Sequence, residues 1–354
     1  MGAEAARYDR KAGVRPRRAS EYKKYRARVS LAKKAAGWIA GGSLAVFVVI
    51  IAAAIINEGT AAFVKQLSMV NPFYFFIALL LMFLSNAMRY PKWSLYMKRL
   101  GIRISSAKNF VIYLSMYSME ITPGRWGRAI VSYTINSLTR TTFANIFPAI
   151  VADIFTDFSG FAVVSVGAAL LLDQYVALSL GITALLLLPF LFLYVKTPFD
   201  FIRKRLGHMR RLKPMFRDAL VYFKSNKKIR AADYLYSMAF TIPSMLLNGV
   251  VLYFVILSFG VRLPVGAMPE VIFIFSSSLL LGAISGIPAA LGVTDAALIG
   301  YLVLFFGNVG IDFGLASIIA IFFRIVNWWF VEGFGFAALA YTFRYWKVPS
   351  QQGR

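Results

Sequence analysis

Thr122-Pro-Gly-Arg-Trp-Gly-Arg128 and Ile287-Pro-Ala-Ala-Leu-Gly-Val-Thr-Asp295 interrupt two long apolar stretches, and each places a glycine four residues after a proline. Proline removes a helix donor and glycine weakens a helix. Broken backbone at bilayer depth is tolerated only where protein buries it or a wet cavity touches it. A matched pair of such breaks, one in each half of a chain, marks a transport site.

The surrounding sequence sets the class. Hydrophobic residues make up 59% of the 354, and several runs exceed the roughly 18 residues that span lipid. Spans are expected at 37–57, 72–88, 143–172, 175–195, 234–259 and 313–343, all helical because their apolar character persists around every face. Trp38, Tyr74, Tyr90, Trp93, Tyr194, Tyr234, Trp328, Trp329 and Trp346 fall near the ends, as an interfacial aromatic belt would. Basic residues precede the first span without a signal-peptide pattern, so that span is expected to remain as an anchor.

The net charge of +24 is informative through its placement: twelve Lys/Arg in 1–34, six in 89–108, twelve in 196–230 and three in 344–354. The positive-inside bias puts all four segments on the cytoplasmic side, so both termini are expected there. Topology and attraction to anionic headgroups explain the charge, and nucleic acid is not an expected partner. Parity then requires 109–141 to begin and end inside, and 270–310 to begin and end outside. Each holds two apolar pieces around one break.

The expected architecture is all-α: a polytopic helical membrane protein with two inverted repeats, each containing a re-entrant hairpin broken at Pro/Gly. The basic N-terminal segment is 1–36 and the transmembrane domain 37–343. The repeats span about 72–172 and 234–343, with a basic cytoplasmic connector at 196–230 and a tail at 344–354. Two unrelated kinks in ordinary helices are the alternative.

Ionisable residues within spans are functional candidates by default. Arg125 and Arg128 lie in the first break, with Glu120 before it and Arg140 after the returning helix. A guanidinium fork suits phosphate oxygens, and the break, through Thr122, Gly124 and Gly127, would free backbone N–H groups for an anion. The alternative is interface arginines that snorkel to water. Asp153 and Asp157 share a helix face, an arrangement suited to proton uptake or to pairing with a buried cation. Arg324 is a candidate partner for either, across the two halves. Asp295 follows Gly292 of the second break near a helix N-terminus, where a carboxylate is favoured; Thr294 is the alternative cap.

Hydrolytic, metal and cofactor chemistry find no residues here. There is no cysteine, the single histidine is His208 in the basic connector, and no Walker-type loop occurs. A non-enzymatic membrane protein without cofactor or metal is expected.

The two break motifs, the Asp153-Ile-Phe-Thr-Asp157 helix and Arg324 resemble the transmembrane-domain family of lysylphosphatidylglycerol synthetases and their stand-alone flippase-like relatives, over about 72–343. The resemblance implies lipid translocation. Arg128 stands where that family usually has a glutamate, Ile154 where it usually has an arginine, and Asp295 replaces a glutamate; the changes suit a more anionic substrate. About ten residues follow the last span, so the aminoacyl-transferase domain of some relatives is not expected.

The leading expectation is a flippase in the cell membrane for an anionic lipid headgroup, a polyisoprenyl-phosphate sugar or a phospholipid. A scaffold presenting lipid to a glycosyltransferase and a small-solute or ion transporter are the alternatives. A homodimer is compatible with each.

Overall fold

The computed structural model describes residues 68–120, 122–194, 213–287 and 290–346, with isolated positions 52 and 65, all within the compact unit Ala45–Arg354. The expected span at 37–57, the segment 1–36, the first part of the connector, Pro288 and most of the tail lie outside the described residues. Every regular element among those described is helical.

Among the described residues, four helices are long and apolar enough to cross a membrane: Pro72–Arg99, Phe143–Leu171, Ala231–Ser258 and Phe313–Thr342. The first comprises α1 (Pro72–Met88) and α2 (Tyr90–Arg99). Asn71 caps α1 by accepting the Phe73 N–H at 3.0 Å, and Pro72 occupies a position where no helical donor is lost. Phe73, Phe76, Leu80 and Leu84 are exposed along α1, a lipid-facing stripe at near-helical spacing. The span expected at 72–88 thus continues about three turns further, and carries Arg89 and Lys92 into the protein.

The first hairpin is α3 (Ser106–Ser115), a 3-10 turn Met116–Met119, a second 3-10 segment Pro123–Ile130 and α4 (Val131–Thr139). Then come α5 (Phe143–Leu171), α6 (Val176–Tyr194), α7 (Lys213–Asn226) and α8 (Ala231–Ser258). The second hairpin joins α9 (Met268–Ile284) to α10 (Val293–Phe306). The last span is α11 (Phe313–Arg324), one π-helical turn at Ile325–Trp329, and α12 (Phe330–Tyr345).

The element order therefore runs long helix, broken hairpin, long helix twice, and the contacts between the halves are reciprocal. The first long helices, α1 and α8, lie against each other; α5 packs on α9, and α12 on α3 and the Met116–Met119 turn. At the α1/α8 crossing the Ser85 hydroxyl donates to the Ser244 carbonyl (3.0 Å), and the Ser244 hydroxyl donates to the Ser85 carbonyl (2.9 Å). Both serines sit thirteen residues past the start of their helix, 72 to 85 and 231 to 244. Such an exchange is the mark of a local two-fold contact.

Candidate functional site

In the first break the backbone is shaped by three residues. Thr122 is extended (φ −72°, ψ 147°), as a residue before proline prefers. Its hydroxyl donates to the Met119 carbonyl (3.0 Å) and accepts the Gly127 N–H (2.6 Å). A Cβ on Gly127 would stand 2.6 Å from that same carbonyl, so no larger residue fits without backbone movement. Arg125 lies in the left-handed region (φ 62°), a conformation that a non-glycine residue adopts at a cost. Backbone donors of this turn are spent locally at three positions: the Thr122 N–H goes to Met119 O (3.3 Å), that of Arg125 to Thr122 O (2.9 Å) and that of Gly127 to the Thr122 hydroxyl. At these three positions anion recognition is left to side chains.

Among the described residues, the side chains form a buried cluster of four cations and three carboxylates: Arg89, Lys92, Arg125 and Arg128 against Glu120, Asp153 and Asp157. Arg128 grips Glu120 through Nε and Nη2 (2.9 and 2.8 Å) and reaches Asp153 and Asp157 through Nη1 (2.5 and 2.9 Å). Lys92 Nζ meets Asp157 at 2.5 Å and Asp153 at 3.2 Å, and also donates to Thr156 Oγ1 (3.1 Å). Arg89 Nη1 donates to Asp157 (2.9 Å), while its Nη2 donates to Asn86. Arg125 pairs with Glu120 (2.8 Å) and Asp157 (3.1 Å). Charges this deep persist only when paired and hydrogen-bonded.

Arg125 differs from its neighbours. Its side chain is 15% exposed, against 1% for Lys92 and Arg128 and 5% for Arg89. Its guanidinium lies over the rings of Phe158 (5.4 Å) and Phe161 (5.3 Å), a setting that favours a cation.

The second break carries a single ion pair among the described residues. Gly286 and Gly292 have φ of 66° and 81°, and Ala290 has φ 52°. The Gly292 N–H donates to Asp295 Oδ2 (3.1 Å), so Asp295 caps α10. Asp295 also takes a two-point contact from Arg324, Nε to Oδ1 at 2.7 Å and Nη2 to Oδ2 at 2.5 Å. Arg324 does not join Asp153 or Asp157, contrary to the pairing considered from sequence. The physical reason is proximity: Asp295 starts the half-helix that packs on the helix ending at Arg324.

The two breaks meet. One cleft, about 40 Å³, is bounded by Glu120, Thr122 and Arg125 from the first, Ile287 and Ala290 from the second, and Trp328 from the π turn. A second, about 20 Å³, adjoins it through Glu120, Arg125 and Trp328 and adds Arg89, Asn248 and Asn327. π turns recur at functional sites, and this one aims Asn327 and Trp328 at the cavity. Asn248 Oδ1 and Arg324 Nη1 are buried without a hydrogen-bond partner among the described residues. Such volumes admit a few waters and no headgroup, which needs hundreds of Å³; the site is closed.

Of the residues expected from sequence, Arg125, Arg128, Asp153 and Asp157 come together, with Thr122 and Gly127 shaping the turn and Gly124 in the same 3-10 segment. Gly292, Asp295 and Arg324 come together at the second break and line neither cleft. Arg140 stands outside: exposed, it closes α4 in the left-handed conformation (φ 59°). Arg89 and Lys92 are the members that sequence reading missed, because they begin a basic run that reads as a topology signal. The spacing Asn86, Arg89, Trp93 with Lys92 alongside, one helical face after an apolar span, was the signal available.

The family described as lysylphosphatidylglycerol synthase TM region matches residues 39–335. A UPF0104 membrane protein of Methanothermobacter thermautotrophicus is 23% identical over 320 residues, covering 83% of this chain and 93% of that protein.

Proposed function

Because this chain belongs to the lysylphosphatidylglycerol synthase TM-region family, a membership consistent with a membrane lipid-related role, we propose that it is a flippase for an anionic lipid headgroup. Arg125 receives the phosphate at the cleft between the two halves, and the acyl or isoprenyl chains remain in lipid. The observation that carries this reading is the junction of both breaks at one cleft, largely apolar, into which the most accessible member of a cationic cluster projects. Asn248 Oδ1 is an acceptor suited to a headgroup hydroxyl.

The repeated element order and the reciprocal Ser85/Ser244 contact support an inverted repeat, with the two halves rocking about the α1/α8 crossing. In one arrangement Arg125 is open to the cytoplasmic leaflet; in the other the Asp295–Arg324 side parts and the headgroup leaves. Both hairpins are re-entrant and both termini cytoplasmic in this scheme, and no chemical step occurs.

The test is reconstitution of the full chain in liposomes carrying a fluorescent phospholipid or polyprenyl-phosphate sugar, with dithionite quenching from outside. Protein-dependent access to inner-leaflet lipid is expected, lost in Arg125→Gly and kept in Arg140→Ala. Equal flipping by the native and Arg125→Gly chains would remove the reading.

A further inference from the structure

We infer that the site takes a lipid phosphodiester bearing one negative charge and selects against diphosphates and doubly ionised phosphomonoesters. This rests on the reading that Arg125 receives the headgroup, and it follows from the charge balance of the cluster. Four cations face three carboxylates, and all seven side chains are at most 15% exposed.

The excess charge can be assigned to one residue. If Arg125 swings away, Glu120 keeps both hydrogen bonds from Arg128, and Asp157 keeps Arg89, Lys92 and Arg128. Asp153 never involved Arg125; it keeps Lys92 and Arg128. Three cations then balance three carboxylates. Among the described residues, Arg125 is thus the one cation that combines access to both clefts with carboxylate partners already satisfied by others. Glu120 and Asp157 occupy its fork in the closed state as a headgroup phosphate would.

The charged pair of the second break does not change the count. Asp295 and Arg324 neutralise each other, and the rings of Phe158, Phe161 and Trp328 surround the rest of Arg125's approach with apolar surface. One phosphodiester oxyanion makes the closed site neutral. A second negative charge would be buried without a counter-ion, and uncompensated buried charge is strongly disfavoured. The planar fork also matches the two free oxygens of a diester.

The experiment measures binding, separately from transport. The full chain in neutral detergent at pH 8 is titrated with farnesyl methyl phosphate, farnesyl phosphate and farnesyl diphosphate, which share one tail. The native chain is expected to hold the diester about tenfold or more tighter than the diphosphate, a factor of ten in Kd being a readily resolved difference. Glu120→Gln raises the excess to two positive charges and is expected to move the preference toward the diphosphate. Arg125→Gly is expected to lose both affinity and discrimination.

Equal native affinity for diester and diphosphate, an unchanged ratio in Glu120→Gln, or retained diester preference in Arg125→Gly would each overturn the inference. The preference without flipping in liposomes would remove the transport reading and leave this one standing. Flipping without the preference would do the reverse.

Discussion

The first break holds its buried charges as a network, and the second holds them as a single pair. Around Arg128, each carboxylate meets at least two cations, so withdrawal of one member is shared among the rest. Around Arg324, one carboxylate does everything: it caps α10, anchors the last span and neutralises a guanidinium. Two hairpins of similar order thus hold their charges by unequal means. A redundant network can release one cation to a ligand and remain balanced, whereas a lone pair must stay intact or open completely.

Breaking the lone pair is expected to have the largest effect. Asp295→Ala leaves Arg324 buried and uncompensated, a loss of about 3–5 kcal/mol, read as a fall in the unfolding midpoint in detergent. Asp295→Leu with Arg324→Met should recover most of it. A cost no greater than that of Arg125→Gly would show that the second break is buffered like the first.

The glycines sharpen the comparison next. A Cβ on Gly127 meets the Met119 carbonyl at 2.6 Å, and one on Gly282 meets Ala290 Cβ at 2.6 Å as well as the Thr294 hydroxyl. Each alanine variant should cost about 1–3 kcal/mol, with Gly282→Ala at least as costly as Gly127→Ala because Ala290 Cβ, like the Met119 carbonyl, moves only with the backbone. Thermal unfolding of the two variants side by side checks the order.

Arg125→Gly should separate stability from function. It deletes a redundant cation and relieves a left-handed backbone, so its net effect is expected to be under about 1 kcal/mol while headgroup binding is lost. A large destabilisation would place Arg125 among the structural members of the network. The smallest effects belong to the halves' shared contact. Ser85→Ala and Ser244→Ala should each cost about 0.6 kcal/mol, typical of interhelical hydrogen bonds in membranes. Equal losses sustain the local two-fold relation, and unequal ones break it.

Local physics made much of this molecule legible. The spans at 143–172 and 234–259 lie within three residues of α5 and α8, because hydropathy and length are properties of a segment alone. Both breaks fall where Pro123, Gly127, Gly286 and Gly292 put them. The limit shows at Arg89 and Lys92. A basic residue after an apolar run reads as an interface charge, and only the turn of α2 against α5 buries these two on Asp157.

Hydropathy and residue type alone reveal the helical membrane class, the two breaks and most of the charges costly enough in lipid to require partners, Arg89 and Lys92 excepted. Who partners whom is set by the fold. Arg89 reaches a carboxylate 68 residues away, Arg128 one 25 away and Arg324 one 29 away. Helix formation is settled by neighbours within a turn, but an ion pair is settled by which faces meet, and that depends on the packing of all the helices at once.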